Sequence, residues 1–135
     1  ELFRKEEGRI INTTFNNIES AYIKADKNEI LRVFNNLFKN ACQAMDESIS
    51  IEINVSLKEK DSSLLVAIKD NGIGISDDQK ANLFTPSFTT KSTGMGLGLS
   101  MVKNIISGMG GDIWFQSKQN QGTTFYLSFK KEQSV

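Results

Sequence analysis

Every second residue from Ile49 to Leu57 is aliphatic: Ile49, Ile51, Ile53, Val55 and Leu57 alternate with Ser50, Glu52, Asn54 and Ser56. A period of two places the aliphatic side chains on one face of a strand and the polar ones on the other. Such a strand belongs to an antiparallel sheet with one covered side. Leu64–Lys69 (LLVAIK) is more continuously apolar and reads as the returning, central strand beyond a charged loop, Lys58 to Ser63. The cover has the other periodicity. Ile30, Phe34, Leu37, Phe38, Ala41 and Met45 recur at three- and four-residue spacing, one apolar helical stripe. Asp26 is placed to cap this helix, with Glu29 three residues on, and the helix is expected to run to about Asp46.

Around this centre, Arg9–Ile18 and Ser20–Ala25 read as strands. Asp77–Leu83 reads as one or two helical turns capped by Ser76. A helix is expected from Gly94 to about Ser107, stopped by Gly108, Gly110 and Gly111. Asp112–Ser117 and Thr123–Phe129 then form two strands around a Gln-Asn-Gln-Gly turn. The order ββαββ, loop, α, ββ predicts an α+β fold: a two-layer sandwich, its sheet mixed or antiparallel and its helices on one side.

Composition narrows the chemistry. With 135 residues the chain suits one domain. Sixteen basic and sixteen acidic residues cancel, so bulk charge gives no case for nucleic acid or an anionic membrane. No apolar run approaches the roughly 20 residues of a membrane span, and no signal-peptide pattern opens the chain. The start, ELFRKEEG, has the character of a truncated helix, so residues 1–8 are expected to be the remnant of a linker in a longer protein. The single Cys42 excludes an internal disulfide and suits the reducing cytosol. The chain has no histidine, which removes histidine acid–base catalysis, serine–histidine triads and histidine metal sites.

A few residues are left that carry chemistry. Asn36 and Asn40 lie four apart on one face of the helix, shared with Val33 and Ala44, where propensity favours neither amide. Their amide oxygens suit a hard cation such as magnesium. Asp70-Asn71-Gly72-Ile73-Gly74 puts a carboxylate at the end of a buried strand, a costly place without a partner. Its glycines permit close approach of a flat ligand, and the carboxylate would accept from an exocyclic amine such as that of adenine. The run Gly94-Met95-Gly96-Leu97-Gly98-Leu99-Ser100 opens a helix and leaves free N–H groups, an anion site. It is neither a P-loop nor the dinucleotide fingerprint. Lys91, just before it, could reach a terminal phosphate. Taken singly, each feature also has an ordinary reading as a turn, a packed amide or a solvated lysine.

In this order NNLFKNA, DNGIG, FTPSFTTK, GMGLGLS and GTTF resemble the ATP-binding domain of bacterial sensor histidine kinases. That family belongs to the GHKL superfamily of gyrase, heat-shock chaperone and mismatch-repair ATPases. The resemblance spans about Ile18 to Phe129, and the short loop FTTKSTGMG is most similar to the nitrogen-regulation type. It implies a Bergerat-type sandwich with a mixed five-stranded sheet and three helices on one face. It further implies magnesium on Asn40 with Asn36 beside it, the adenine amine on Asp70 with Thr123 sharing a water, and a base pocket shaped by Gly72 and Gly74. Lys91 would lie in an ATP lid, and Gly94, Gly96 and Gly98 would let the backbone around Leu97 and Leu99 hold phosphates. Gln43 and Met109 stand where many members carry a basic residue and a histidine.

Hydrolysing members of the superfamily carry a glutamate, the general base for water, at the position of Asn36. An amide cannot take that proton. The resemblance therefore implies a kinase: Asn36, Asn40 and Lys91 serve transfer of the γ-phosphoryl group of ATP to a histidine on a separate dimerisation domain, upstream of a response regulator. A cytoplasmic setting, with the parent protein open to membrane anchoring, goes with it. Two alternatives remain at this point: a hydrolase or serine/threonine-directed kinase on the same scaffold, and a nucleotide-binding interaction module without catalysis.

Overall fold

The computed structural model describes residues 9–16, 22–23, 25–43, 51–85 and 95–132. In chain order these form β1 (Arg9–Asn16), β2 (Tyr22–Ile23), α1 (Lys27–Gln43), β3 (Ile51–Lys60), β4 (Ser63–Asp70), α2 (Asp77–Lys80), α3 (Met95–Gly108), β5 (Asp112–Lys118) and β6 (Gly122–Glu132). The expected linker remnant, residues 1–8, lies outside the described residues, as do Lys91 and Gly94.

The sheet is mixed. β1 runs parallel to β3, β3 and β4 are antiparallel, and β4 is antiparallel to β6. β5 and the two-residue β2 both pair with β6. Six paired segments stand where the resemblance implies five strands, and the short β2 accounts for the difference. The expected Lys58–Ser63 loop is mostly strand. Lys60 pairs directly with Ser63, and only Asp61 and Ser62 turn the chain. Asp61 takes a left-handed φ of 54°, which its short polar side chain tolerates better than most.

The alternation read from β3 holds for Ile53 and Val55; Leu57 is half-buried, and Ile49 and the side chain of Ile51 lie outside the described residues. Ile53 and Val55 of β3, Leu64, Val66 and Ile68 of β4, Ile113 of β5 and Phe125, Leu127 and Phe129 of β6 are all buried on one face. The register stacks them in rows, such as Leu57–Val66–Leu127–Ile113 and Val55–Ile68–Phe125–Phe115. On the opposite face Trp114 and Tyr126 stack at 5.6 Å between ring centroids.

α1 and α3 cover the buried face. Asp26 caps α1 as expected, its Oδ1 accepting from the N–H groups of Asn28 (2.8 Å) and Glu29 (3.2 Å). The buried side of α1, however, is Val33, Leu37, Asn40 and Ala41, while Ile30, Phe34 and Phe38 are only half-buried. Of the expected stripe, Met45 lies outside the described residues. The helix is rotated toward its asparagine side because α3 packs beside it and brings Leu99, Val102, Ile105 and Ile106 into the same core. α2 is a single turn with a complete Ser76/Gln79 capping box and no buried residue of its own, although Leu83 just after it is core. No helix among the described residues is long and apolar enough to cross a membrane.

Candidate functional site

Burial sorts the polar residues sharply. Among the described residues the buried polar side chains are Asn40, Asp70, Ser100 and Thr123. Asp70 follows Leu64, Val66 and Ile68 on the core-facing parity of β4, so the strand delivers a carboxylate where the next apolar side chain would go. It is 4 % exposed. Its Oδ1 accepts the backbone N–H of Gly72 (2.9 Å) and that of Thr123 (3.2 Å). Burial pushes the Asp70 carboxyl above its ordinary value; the two backbone donors pull the other way and do not cancel it. Both described bonds fall on one oxygen, and no donor among the described residues reaches Oδ2.

The segment after Asp70 is clamped to the β5–β6 hairpin. Asn120 donates its N–H to the carbonyl of Ile73 (2.6 Å), and Ile75 donates to Ser117 Oγ (2.7 Å). Lys80 donates from Nζ to the Ser117 carbonyl (2.7 Å). Asn71 Oδ1 accepts from Glu52 N–H (3.0 Å), tying the same segment to β3. Gly74 has a φ of 78°, and a Cβ there would run into the Lys118 carbonyl. Gly122, at a φ of 97°, lies as closely against the backbone of Asp70. Gly74 thus has a packing reason in addition to any ligand it faces, and Gly122 is required by the same close approach.

Extending the β4–β6 register by one residue sets Asp70 beside Thr123, and Thr123 pairs with Ser117 on β5. Asp70, Thr123 and Ser117 therefore form one polar row where the core rows end. Ser117 Oγ lies 2.8 Å from Thr123 Oγ1 and donates to the Gly122 carbonyl (3.2 Å). Ser117 is a residue that sequence reasoning missed. The signal was present: Ile113, Phe115 and Ser117 share a parity, and a hydroxyl at a core-facing position of a strand calls for a partner.

The asparagines of α1 separate. Asn40 is 6 % exposed, and its Nδ2 has no hydrogen-bond partner among the described residues. Leaving such a group unmatched costs about 1–3 kcal/mol. Asn36 is half-buried and donates from Nδ2 to the Arg32 carbonyl (3.0 Å). Its Oδ1 lies against Gly98, where a Cβ would collide with it. Gly98 lets α3 approach α1 closely at this point. Gly96 and Leu97 lie in the first turn of α3, and Leu99 has its side chain in the core, 1 % exposed. Any part Leu99 takes in holding a ligand falls to its backbone. Gly72 is buried beside Asp70. Lys91, Gly94 and the lid expected around them fall outside the described residues.

Residues 25–133 match the family described as histidine kinase-, DNA gyrase B- and HSP90-like ATPase. The chain is 42% identical over 104 residues to the sensor protein FixL of Bradyrhizobium diazoefficiens, covering 76% of this chain and 21% of that protein. It is 40% identical over 105 residues to the sensor histidine kinase ZraS of Escherichia coli K12, covering 78% of this chain and 22% of that one. Sporulation kinase A of Bacillus subtilis is 37% identical over 125 residues, 93% of this chain and 20% of the relative. The chain thus spans about a fifth of the length of these relatives. Among solved structures it is similar to the nucleotide-free catalytic domain of histidine kinase ThkA, with a TM-score of 0.75 and 32% identity over 90% of this chain and 79% of that one. The mycobacterial sensor histidine kinase MprB, at 21% identity and a TM-score of 0.81, shares the fold over 97% of this chain and 87% of that one.

Proposed function

The chain belongs to the histidine kinase-, DNA gyrase B- and HSP90-like ATPases, as a catalytic domain of the sensor histidine kinase type, and from that premise we propose that it is the ATP-binding half of a phosphotransfer enzyme. In this reading it binds Mg-ATP and passes the γ-phosphoryl group to a histidine on a separate dimerisation domain, which in turn serves a response regulator in the cytoplasm. The observation that carries the base-binding step is the buried carboxylate of Asp70, with Oδ1 held by Gly72 and Thr123 and Oδ2 left for an amine donor. Gly72, Gly74 and Thr123 line this end, and the N–H groups of the Gly96–Gly98 turn, with Gly94 and Lys91 before it, take the phosphates.

The donors fit magnesium of the kind that relies on its nucleotide. No group of three or more His, Cys, Asp or Glu side chains among the described residues could hold a metal alone. Asn40 offers a buried amide with an unmatched nitrogen, so one side chain can give its oxygen to the cation and its nitrogen to a phosphate. Bound magnesium would neutralise charge on the phosphates.

Asn36 supports phosphotransfer over hydrolysis in this reading. Its amide is engaged by Arg32 and seated on Gly98, and it has no basic site to deprotonate water. A neutral imidazole needs no such base, because its nitrogen is already a nucleophile. This chain contains no histidine, so the acceptor lies elsewhere. Titrating ATP with and without magnesium, then adding a histidine-bearing dimerisation domain, tests the reading. Acid-labile phosphate on the added domain supports it. Its absence, or acid-stable phosphoserine or phosphothreonine on the added domain in its place, overturns it.

A further inference from the structure

The hydroxyl of Ser117 has more neighbours than one proton can serve in any order, and counting them fixes its direction. A serine hydroxyl has one proton and two lone pairs. One lone pair accepts the N–H of Ile75 at 2.7 Å. The proton goes to the Gly122 carbonyl at 3.2 Å, an oxygen that can only accept. Thr123 Oγ1, at 2.8 Å, can then be satisfied only by donating its own proton into the second lone pair of Ser117. In the reverse arrangement Ser117 donates to Thr123, and the Gly122 contact has no proton. Full satisfaction therefore spends the Thr123 proton on Ser117. Thr123 is left with lone pairs alone, beside Asp70, whose ionised carboxylate also only accepts.

We propose that Ser117 is a positioning residue for base selectivity. By taking the Thr123 proton it makes the Asp70–Thr123 row acceptor-only, a row matched to a purine bearing an exocyclic amine and mismatched to one bearing a carbonyl there. The inference rests on the reading of Asp70 as the base-binding group. Without Ser117 the Thr123 hydroxyl turns free and can donate to a carbonyl oxygen, which softens the rejection of a carbonyl-bearing base. Nothing in this role requires Ser117 to touch the nucleotide.

The test is calorimetric titration of the intact chain with ATP and with inosine triphosphate, which carries a carbonyl in place of the adenine amine. The wild type is expected to prefer ATP. Ser117→Ala is expected to narrow the ATP-to-inosine-triphosphate affinity ratio by roughly threefold or more, the scale of one hydrogen bond regained. Ser117→Thr, which keeps the hydroxyl, is expected to hold the wild-type ratio. The double variant Ser117→Ala, Thr123→Val has no hydroxyl to turn and is expected to show no narrowing. If Ser117→Ala does not fold by circular dichroism, Ser117→Cys, whose thiol is the poorer acceptor, is expected to narrow the ratio in its place. Equal weakening of both nucleotides by Ser117→Ala, the mark of a merely structural role, overturns the proposal. So does narrowing that persists in the double variant. A wild type that binds neither nucleotide overturns the underlying assignment of Asp70.

Discussion

Thr123 donates its backbone N–H to Oδ1 of Asp70 across 3.2 Å and so joins the start of β6 to the end of β4 at the point where the core gives way to the polar row. The bond secures the carboxylate without neutralising it. Removing the charge while keeping the shape should therefore separate binding from folding. Asp70→Asn retains an oxygen for Gly72 and Thr123 and replaces the other acceptor by a donor. The expected loss in ATP affinity is about 1.5–3 kcal/mol, the range for hydrogen bonds to a charged group. Thermal unfolding of the nucleotide-free variant is expected at or above the wild-type temperature, because the desolvated charge has gone. An unchanged calorimetric affinity would refute the adenine role.

The same carboxylate sets opposed pH dependences. Burial raises its folded-state value above 3.8, so across the window from 3.8 up to that raised value the folded chain binds more protons than the unfolded one. The stability that Asp70 contributes therefore falls as pH rises through the window and is recovered as pH falls. Base binding as proposed needs the ionised form and is expected to run the other way, weakening on acidification through the folded value. Parallel ATP titrations and denaturant melts of wild type and Asp70→Asn over acid pH check both signs. The difference in stability between wild type and variant should slope opposite to the wild-type ATP affinity, and the variant should lack this component of both.

Gly122→Ala should be costly, since it combines a φ of 97° with a Cβ driven into the Asp70 backbone. A loss of about 1–3 kcal/mol is expected from strain of this kind, read from the urea midpoint. Gly108→Ala is the control. Nothing lies within 4 Å of a Cβ at that helical position, so the change is expected to be neutral or stabilising by up to about 1 kcal/mol.

Asn36 and Gly98 should behave as a coupled pair. Gly98→Ala gains helix propensity but forces the Asn36 amide off its seat and away from the Arg32 carbonyl. With Asn36→Ala in place that obstruction is gone. A double-mutant cycle on unfolding free energy is expected to give a coupling of about 0.5–3 kcal/mol. Simple additivity would mean that the glycine answers to something other than α1.

Much of this architecture was legible because its signals are local. The alternation of β3, the Asp26 and Ser76 caps and the glycine stops each follow from a few adjacent residues. The polar residue at the end of β4 was legible for the same reason: a carboxylate on core parity advertises a partner. What escaped depends on neighbours far along the chain. The rotation of α1 toward Val33 and Asn40 is imposed by α3, and the parallel pairing of β1 with β3 leaves no mark in either strand. Gly74 and Gly98 read as ligand glycines, yet each also answers to a close approach, of Lys118 and of Asn36 respectively. Ser117 passed unnoticed because one hydroxyl in a strand gains meaning only beside Thr123 and Ile75.

The division of labour between the two oxygens of Asp70 has a kinetic consequence. Because Gly72 and Thr123 both hold Oδ1, an amine docking as proposed would meet Oδ2 without breaking either bond. In the proposed reading, docking at this carboxylate would ask for no rearrangement of the two bonds that hold it. Dissociation would likewise leave those two bonds intact, so the residence time of the base would be set by the contacts made at the other end of the molecule.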